Sequence, residues 1–495
     1  MVNSTYTQVG VVKRRDLLKW GLGAGVLPIL ASVRKASANT PVEDLIHILE
    51  DTPRDQLLRL LIAQKERGLT DFDLFTAICL AGVKQIEPYP SVGFKYHAVM
   101  MMSSVHLTRL QFADKKQQWL PLLWSADQFK SAQAQDLSGG DWQMQAVKNL
   151  PASPSAALIQ AMEHWDVLNA DLAITAWSRS AKNDRGRADI FELLFYYGAR
   201  DLRDIGHKTI AVSNCYRVLN LIGWQHRETM LRSTVYALLN HGRSPNPALS
   251  DLDADRPGRV NMELIKKLPQ GWRGGRMSHQ MTLELYRALG KEGPEQIGLI
   301  ALNLIEDGVH PQVIWDAAFM ASVQLIMERS TIVPVHATTT VNALNFAYRN
   351  VRQPDTRMFV LLQALSFTTF LRRQSRGRKR DIQFDKFEPV ALQDRNPEQE
   401  IFYSVSQDRS VAAGKMLRYL QSGGSVQLIM QVARTHIVEK NFGYHDYKFV
   451  ESAFENYTQI SPRWRDRYLS ASTFYLNGSE DKPNKVVAAL KEMLV

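Results

Sequence analysis

The sequence predicts an all-α protein, a multi-helix bundle or a solenoid-like stack of antiparallel helices. Apolar residues recur at helical spacing in segment after segment, and strand-like alternation is scarce. Proline and glycine punctuate these segments, as at Thr52-Pro53 and Gly68.

The first element is not part of that body. In "VVKRRDLLKWGLGAGVLPILASVRKASA" Arg14 and Arg15 precede a Gly/Ala/Leu-rich run, and Ala36-Ser37-Ala38 supplies a small-x-small cleavage pattern. The stretch resembles a twin-arginine export signal, so residues 1–38 are expected to be removed. That implies contact with the twin-arginine export machinery and a periplasmic or otherwise exported location. The apolar run is too short and too glycine-rich to span a bilayer comfortably.

Removing the signal changes the charge. Residues 1–38 carry six cations against Asp16 alone, half of the formal net charge of +10. What remains is ordinary, and with export it argues against a nucleic-acid partner. No other stretch offers the roughly 20 continuous apolar residues of a span, so no stable membrane span is expected after cleavage. The only cysteines, Cys79 and Cys215, lie in apolar helical contexts that suit buried free thiols.

The body, 39–495, opens with "PVEDLIHILEDTPRDQLLRLLIAQKERG", two amphipathic segments. "SPSAALIQAMEHWDVLNADLAITAWSRSA" and "ADIFELLFYYGARDLRDIGHKTIAVSNCYRVLNLIGW" continue the pattern. "MSHQMTLELYRALG", "GPEQIGLIALNLIEDG", "HPQVIWDAAFMASVQLIMERS" and "NKVVAALKEMLV" carry it onward. The Pro/Asp/Gly-rich stretch "GRSPNPALSDLDADRPGRVN" divides the body into halves, about 39–245 and 260–495. A second break packs Arg372, Arg373, Arg376, Arg378, Lys379 and Arg380 together, a run that suits phosphate, an anionic surface or plain solvation. "SGGDWQ" lacks the Lys-Ser/Thr ending of a phosphate-binding loop and reads as a turn.

Three segments echo one another: "YHAVMMMSSVHL", "GHKTIAVSNCYRVL" and "VHATTTVNALNFAY". Each begins near a histidine and runs through small or flexible residues to Ser, Thr or Asn about two turns on. Residues seven apart on a helix differ by about 20°. His97 with Ser104, and His207 with Asn214, therefore share a stripe, and Asn342 lies somewhat off that of His336. Three such helices can bring His97, His207 and His336 to one internal pocket as catalytic groups or ligands. Arg203, expected one turn before His207 on the same helix, would share its face, and Asn214 and Asn342 would line the pocket with it. His226, at the corner in "IGWQHRETMLRSTVYALL", is a further candidate, with Glu228 and Arg232 as an i,i+4 pair behind it. A packing role, satisfied by a carboxylate or carbonyl, is equally open to each histidine.

Recognised metal patterns are absent: no HExxH, no repeated Glu-x-x-His and no CxxC. His97 and His106, nine apart, cannot point at one ion from one continuous helix. No GxSxG or Rossmann fingerprint is present. Near the C-terminus, Tyr444, Tyr447, Tyr457, Trp464 and Tyr468 lie among arginines, a mixture that suits a flat ligand or a docking surface.

The order of landmarks, "YHAVMMMSSVHL" with "KKQQWLPLLWSADQ", then "GHKTIAVSNCYRVLNLIGWQHRETMLRSTVYALL", then "VHATTTVNALNF" with "TRMFVLLQAL", resembles questin oxidase-like proteins over much of residues 90–370. Those are all-helical proteins that open an anthraquinone ring with molecular oxygen and reduced nicotinamide. The resemblance implies an oxidase-like pocket near His97, His207 and His336, an aromatic or quinone-type small-molecule substrate and a nicotinamide reductant. Export separates the chain from the cytoplasmic nicotinamide pool, and one histidine stands before Ala98 where the family tends to show a pair. Two readings follow: an exported oxidoreductase, with a metal ion as one form its cofactor can take, and a non-catalytic helical binding or scaffold protein of the cell envelope.

Overall fold

The computed structural model describes residues 42–89, 92–239, 246–375 and 377–494; the expected export signal lies outside them. Helix accounts for 71% of the described residues, which form 23 α-helices and no sheet. Among the described residues the only β-type pairing is a single bridge between Arg276 and Val309. No described helix is long and apolar enough to cross a membrane.

The helix starts are written locally. Thr70, Asp114, Asn183, Ser278, Asp408, Ser425 and Asn484 each accept a hydrogen bond from a backbone N–H of the helix they precede. Pro154, Pro311, Pro354, Pro397 and Pro462 occupy first-turn positions, where a missing N–H costs nothing. One apolar cluster then runs from Leu45 to Leu490, through both expected halves, and Trp124, Trp315, Phe319 and Phe359 are buried in it. Cys79 and Cys215 are free and buried, and burial raises both thiol pKa values.

The Ile332–Asn350 helix occupies the middle of the body. It packs against the helices Pro311–Glu328, Pro354–Gln374, His207–Ile222 and Tyr444–Gln459. Its "HATTTVNA" stretch explains the placement, since the small side chains Ala337, Thr338, Thr339, Thr340 and Ala343 are buried and let neighbours approach on several sides. The Thr339 hydroxyl is satisfied inside the helix, donating to the Val335 carbonyl at 3.3 Å.

Two expected helices are interrupted, and both interruptions serve the site. The polar stretch before His207 is a turn, and the helix begins at His207 itself. Gly206 makes that turn at φ +84°, and a Cβ there would stand 2.0 Å from Thr340 Oγ1, so only glycine fits. The segment after Tyr96 breaks at Met101 into His97–Met100 and Met102–Arg109.

Candidate metal centre

Four helix beginnings meet at one point. His97 and His207 are the first residues of their helices, His445 is the second of Tyr444–Gln459, and His336 is the fifth of Ile332–Asn350. The positive end of the helix dipole disfavours an imidazolium there, which keeps the rings neutral. One ring nitrogen from each of the four lies within 4.8 Å of the other three. The ring centroids are 4.8 Å apart for His97 and His207, 4.6 Å for His207 and His336, 4.6 Å for His97 and His445, and 5.0 Å for His336 and His445.

Backbone carbonyls fix two tautomers. Phe94 O lies 2.8 Å from His97 Nδ1 and Ile332 O lies 2.6 Å from His336 Nδ1. A carbonyl can only accept, so each Nδ1 carries the proton and each Nε2 presents a lone pair. This is the outer-shell arrangement by which proteins orient metal-binding histidines. His336 Nε2 faces His207 Nε2 at 2.8 Å. His97 Nε2, His207 Nδ1 and His445 Nε2 are buried without a hydrogen-bond partner. For His207 the nearest help is the Asp204 carbonyl, which favours protonation without a hydrogen bond of proper geometry.

Burial holds the cluster neutral. It lowers His97, it lowers His207 well below the usual imidazole value with His336 adding to the effect, and it takes His336 to about 4 and His445 to about 2. The rings enclose a void of about 20 Å³, lined also by Met100, Met101, Ile210, Thr339, Tyr444 and Lys448. That is room for one ion or one water. Among the described residues no Asp or Glu lines it. Tyr444 stacks on His97 with centroids 5.7 Å apart, and Trp124 lies behind Tyr444.

The convergence of His97, His207 and His336 expected from the echoed segments is present. The other expected site residues are elsewhere. Arg203 belongs to a buried ion network: its guanidinium donates to Asp201 at 2.6 Å and lies 3.5 Å from Asp255. Lys208 Nζ, fully buried, donates to the same Asp201 carboxylate at 2.6 Å and to Leu238 O at 2.7 Å. The charged residues before His207 therefore brace the turn that delivers the histidine and do not enter its pocket.

Asn214 is likewise structural. Its Oδ1 accepts from Ser103 N at 3.0 Å and its Nδ2 donates to Val99 O at 3.1 Å, which satisfies the backbone where the helix breaks at Met101. Asn342 donates to Glu455 and Asn456, away from the histidines. His226 is half-buried in a short 3₁₀ turn at the expected corner and does not join the cluster. Glu228 pairs with Arg179 and Arg232 with Asp171, so the expected Glu228–Arg232 pair gives way to two cross-helix bridges. His106 packs on Phe75 at 4.7 Å, outside the cluster.

His445 is the member of the cluster that sequence reasoning missed. Its signal was available: "NFGYHDY" sets a histidine two residues after a glycine at a helix start, as "DIGHK" sets one directly after Gly206.

Comparison of the chain with protein-family models, with curated proteins and with solved structures finds no match.

Proposed function

We propose that this protein is an exported metalloenzyme of the oxidoreductase class, in which His97, His207, His336 and His445 hold one transition-metal ion beside an aromatic or quinone-type substrate. The observation that carries the reading is the set of four neutral imidazoles around an ion-sized void, with the Nε2 atoms of His97 and His445 buried and lacking a partner. Each of these two nitrogens costs about 1–3 kcal/mol if left unsatisfied, and one cation would satisfy both. Imidazole donors suit zinc, copper, iron and nickel. Bound by neutral ligands alone, such an ion keeps its full charge and supplies Lewis acidity or one-electron chemistry.

The residues around it suit an electron-rich aromatic molecule. The void is too small for the substrate itself, which would lie at the half-exposed His97 and His445 side. Phe94 and Phe442, each three residues before a cluster histidine, are 75% and 76% exposed and offer apolar surface there. Lys448, whose ammonium is pushed down to about 7 by burial and by Arg217, lines the void beside the histidines. A hydroquinone oxidised to its quinone gives up two electrons and two protons, enough to reduce dioxygen to hydrogen peroxide and to need no nicotinamide outside the cytoplasm. The resemblance to questin oxidase-like proteins supports the substrate class, and a twin-arginine signal suits a passenger folded around its cofactor before export.

The test is oxygen uptake by the metal-loaded protein over a panel of hydroquinones and hydroxyanthraquinones. Turnover that disappears in His336→Ala supports the proposal. Absence of uptake with every member, or uptake that survives that substitution, contradicts it.

A further inference from the structure

Away from the histidines, a cavity of about 760 Å³ opens between the helices His279–Leu289, Pro311–Glu328 and Pro354–Gln374 and the segment 379–386. Its volume falls in the range that holds small organic ligands, roughly 300–1,000 Å³. Tyr286, Leu289, Ala321 and Leu325 give it a buried apolar wall.

The rim is unbalanced in charge. Arg287, Lys291, Arg372, Arg373, Lys379 and Lys386 face only Glu328 and Asp385. Lys379 takes Glu328 at 2.8 Å and Arg287 takes Asp385 at 3.2 Å. Lys291, Arg373 and Lys386 form no ion pair among the described residues.

Arg372 is the most informative of the set. Its Nη2 donates to Glu292 O at 2.7 Å, while its Nε is buried without a partner. Burial, and then the neighbouring Arg373 cation, lower its pKa. Arg373 lies against Gly293, where a Cβ would come within 2.6 Å of its Nη2. Like charges gathered over an apolar wall repel one another, and an anion seated among them would relieve that repulsion.

We propose that this cavity binds a small amphiphilic anion, an organic phosphate or carboxylate whose apolar body lies on Leu289, Ala321 and Leu325 and whose head is held by Lys291, Arg372 and Arg373. The cations rim a concave, apolar-backed opening, unlike the basic face that tracks a nucleic-acid backbone. The site shares no lining residue with the histidine cluster and does not depend on its chemistry.

Titration calorimetry on the full chain tests this with octyl phosphate and octanoate, and with inorganic phosphate and octyl glucoside as the separate halves. The proposal expects saturable one-to-one binding of an octyl anion, about tenfold or more tighter than either half. The preferred head then distinguishes phosphate from carboxylate ligands. The double variant Lys291→Glu/Arg373→Glu, whose positions are both exposed, should fold normally by circular dichroism and bind about tenfold or more weakly. No saturable heat from either octyl anion, a half that binds as tightly as the whole, or an affinity unchanged by the double substitution would overturn it.

Discussion

His336 presents its Nε2 lone pair to His207 Nε2 across 2.8 Å, because its other ring nitrogen is committed to the Ile332 carbonyl. Two buried imidazoles arranged this way need either a proton on His207 Nε2 or a cation that both nitrogens face from one side. His97 and His445 add two unpartnered Nε2 atoms to the same void, and one proton cannot satisfy all of them. This is the physical basis for the metal centre we propose.

The first prediction concerns the turn that delivers His207. Asp201 is buried against both Arg203 and Lys208, which hold its carboxyl well below the usual carboxylate range. Asp201→Ala removes the carboxylate that pairs with the fully buried Lys208 and should destabilise the protein by about 3–5 kcal/mol, read as a fall in denaturation midpoint. A loss below about 1 kcal/mol, the level of a surface pair, would contradict a bracing role.

Asn214→Ala tests the other brace. Removing its amide leaves Ser103 N and Val99 O unpaired beside Met101, at a cost of about 1–3 kcal/mol. Metal content should fall along with stability, because the His97–Met100 turn loses its support. Unchanged stability with a raised KM would instead make Asn214 a substrate contact.

Stability should also respond to acid through His106, which lies outside the cluster. Burial, then Arg109, lowers its pKa to about 3 from 6.5. The unfolded chain takes up this proton near pH 6.5 while the native protein refuses it, so stability falls as pH drops between 6.5 and about 3. Between pH 7 and 5 this group alone accounts for about 2 kcal/mol. The difference between wild type and His106→Leu in denaturation experiments should show that slope, and parallel pH profiles would contradict it.

How much of this was legible beforehand divides by physical cause. Helical periodicity, capping residues and proline punctuation are local, and they made the all-α architecture readable. The echoed histidine segments placed His97, His207 and His336 together because each stands at the head of a helix rich in small residues. Arg203 was assigned by position along an unbroken helix, but the helix begins at His207 and the residues before it form an ion-paired turn. Asn214 does share the helix of His207, and its amide is taken by the backbone where the neighbouring segment breaks at Met101, a contact that its own helix does not encode. His445 stands 109 residues after His336 in sequence and joins the others only through packing of its helix on Ile332–Asn350. No local pattern encodes that contact, although the glycine before its helix hinted at it.

The central claim is tested most directly by elemental analysis of the protein, isolated without chelators and exposed to zinc, copper and iron, beside His445→Ala. The account predicts about one transition-metal ion per chain in the wild type. It predicts less than about a tenth of that in His445→Ala, with the helical circular dichroism of the two proteins the same. A metal-free wild type under those conditions, or full metal content in His445→Ala, would contradict a four-histidine centre.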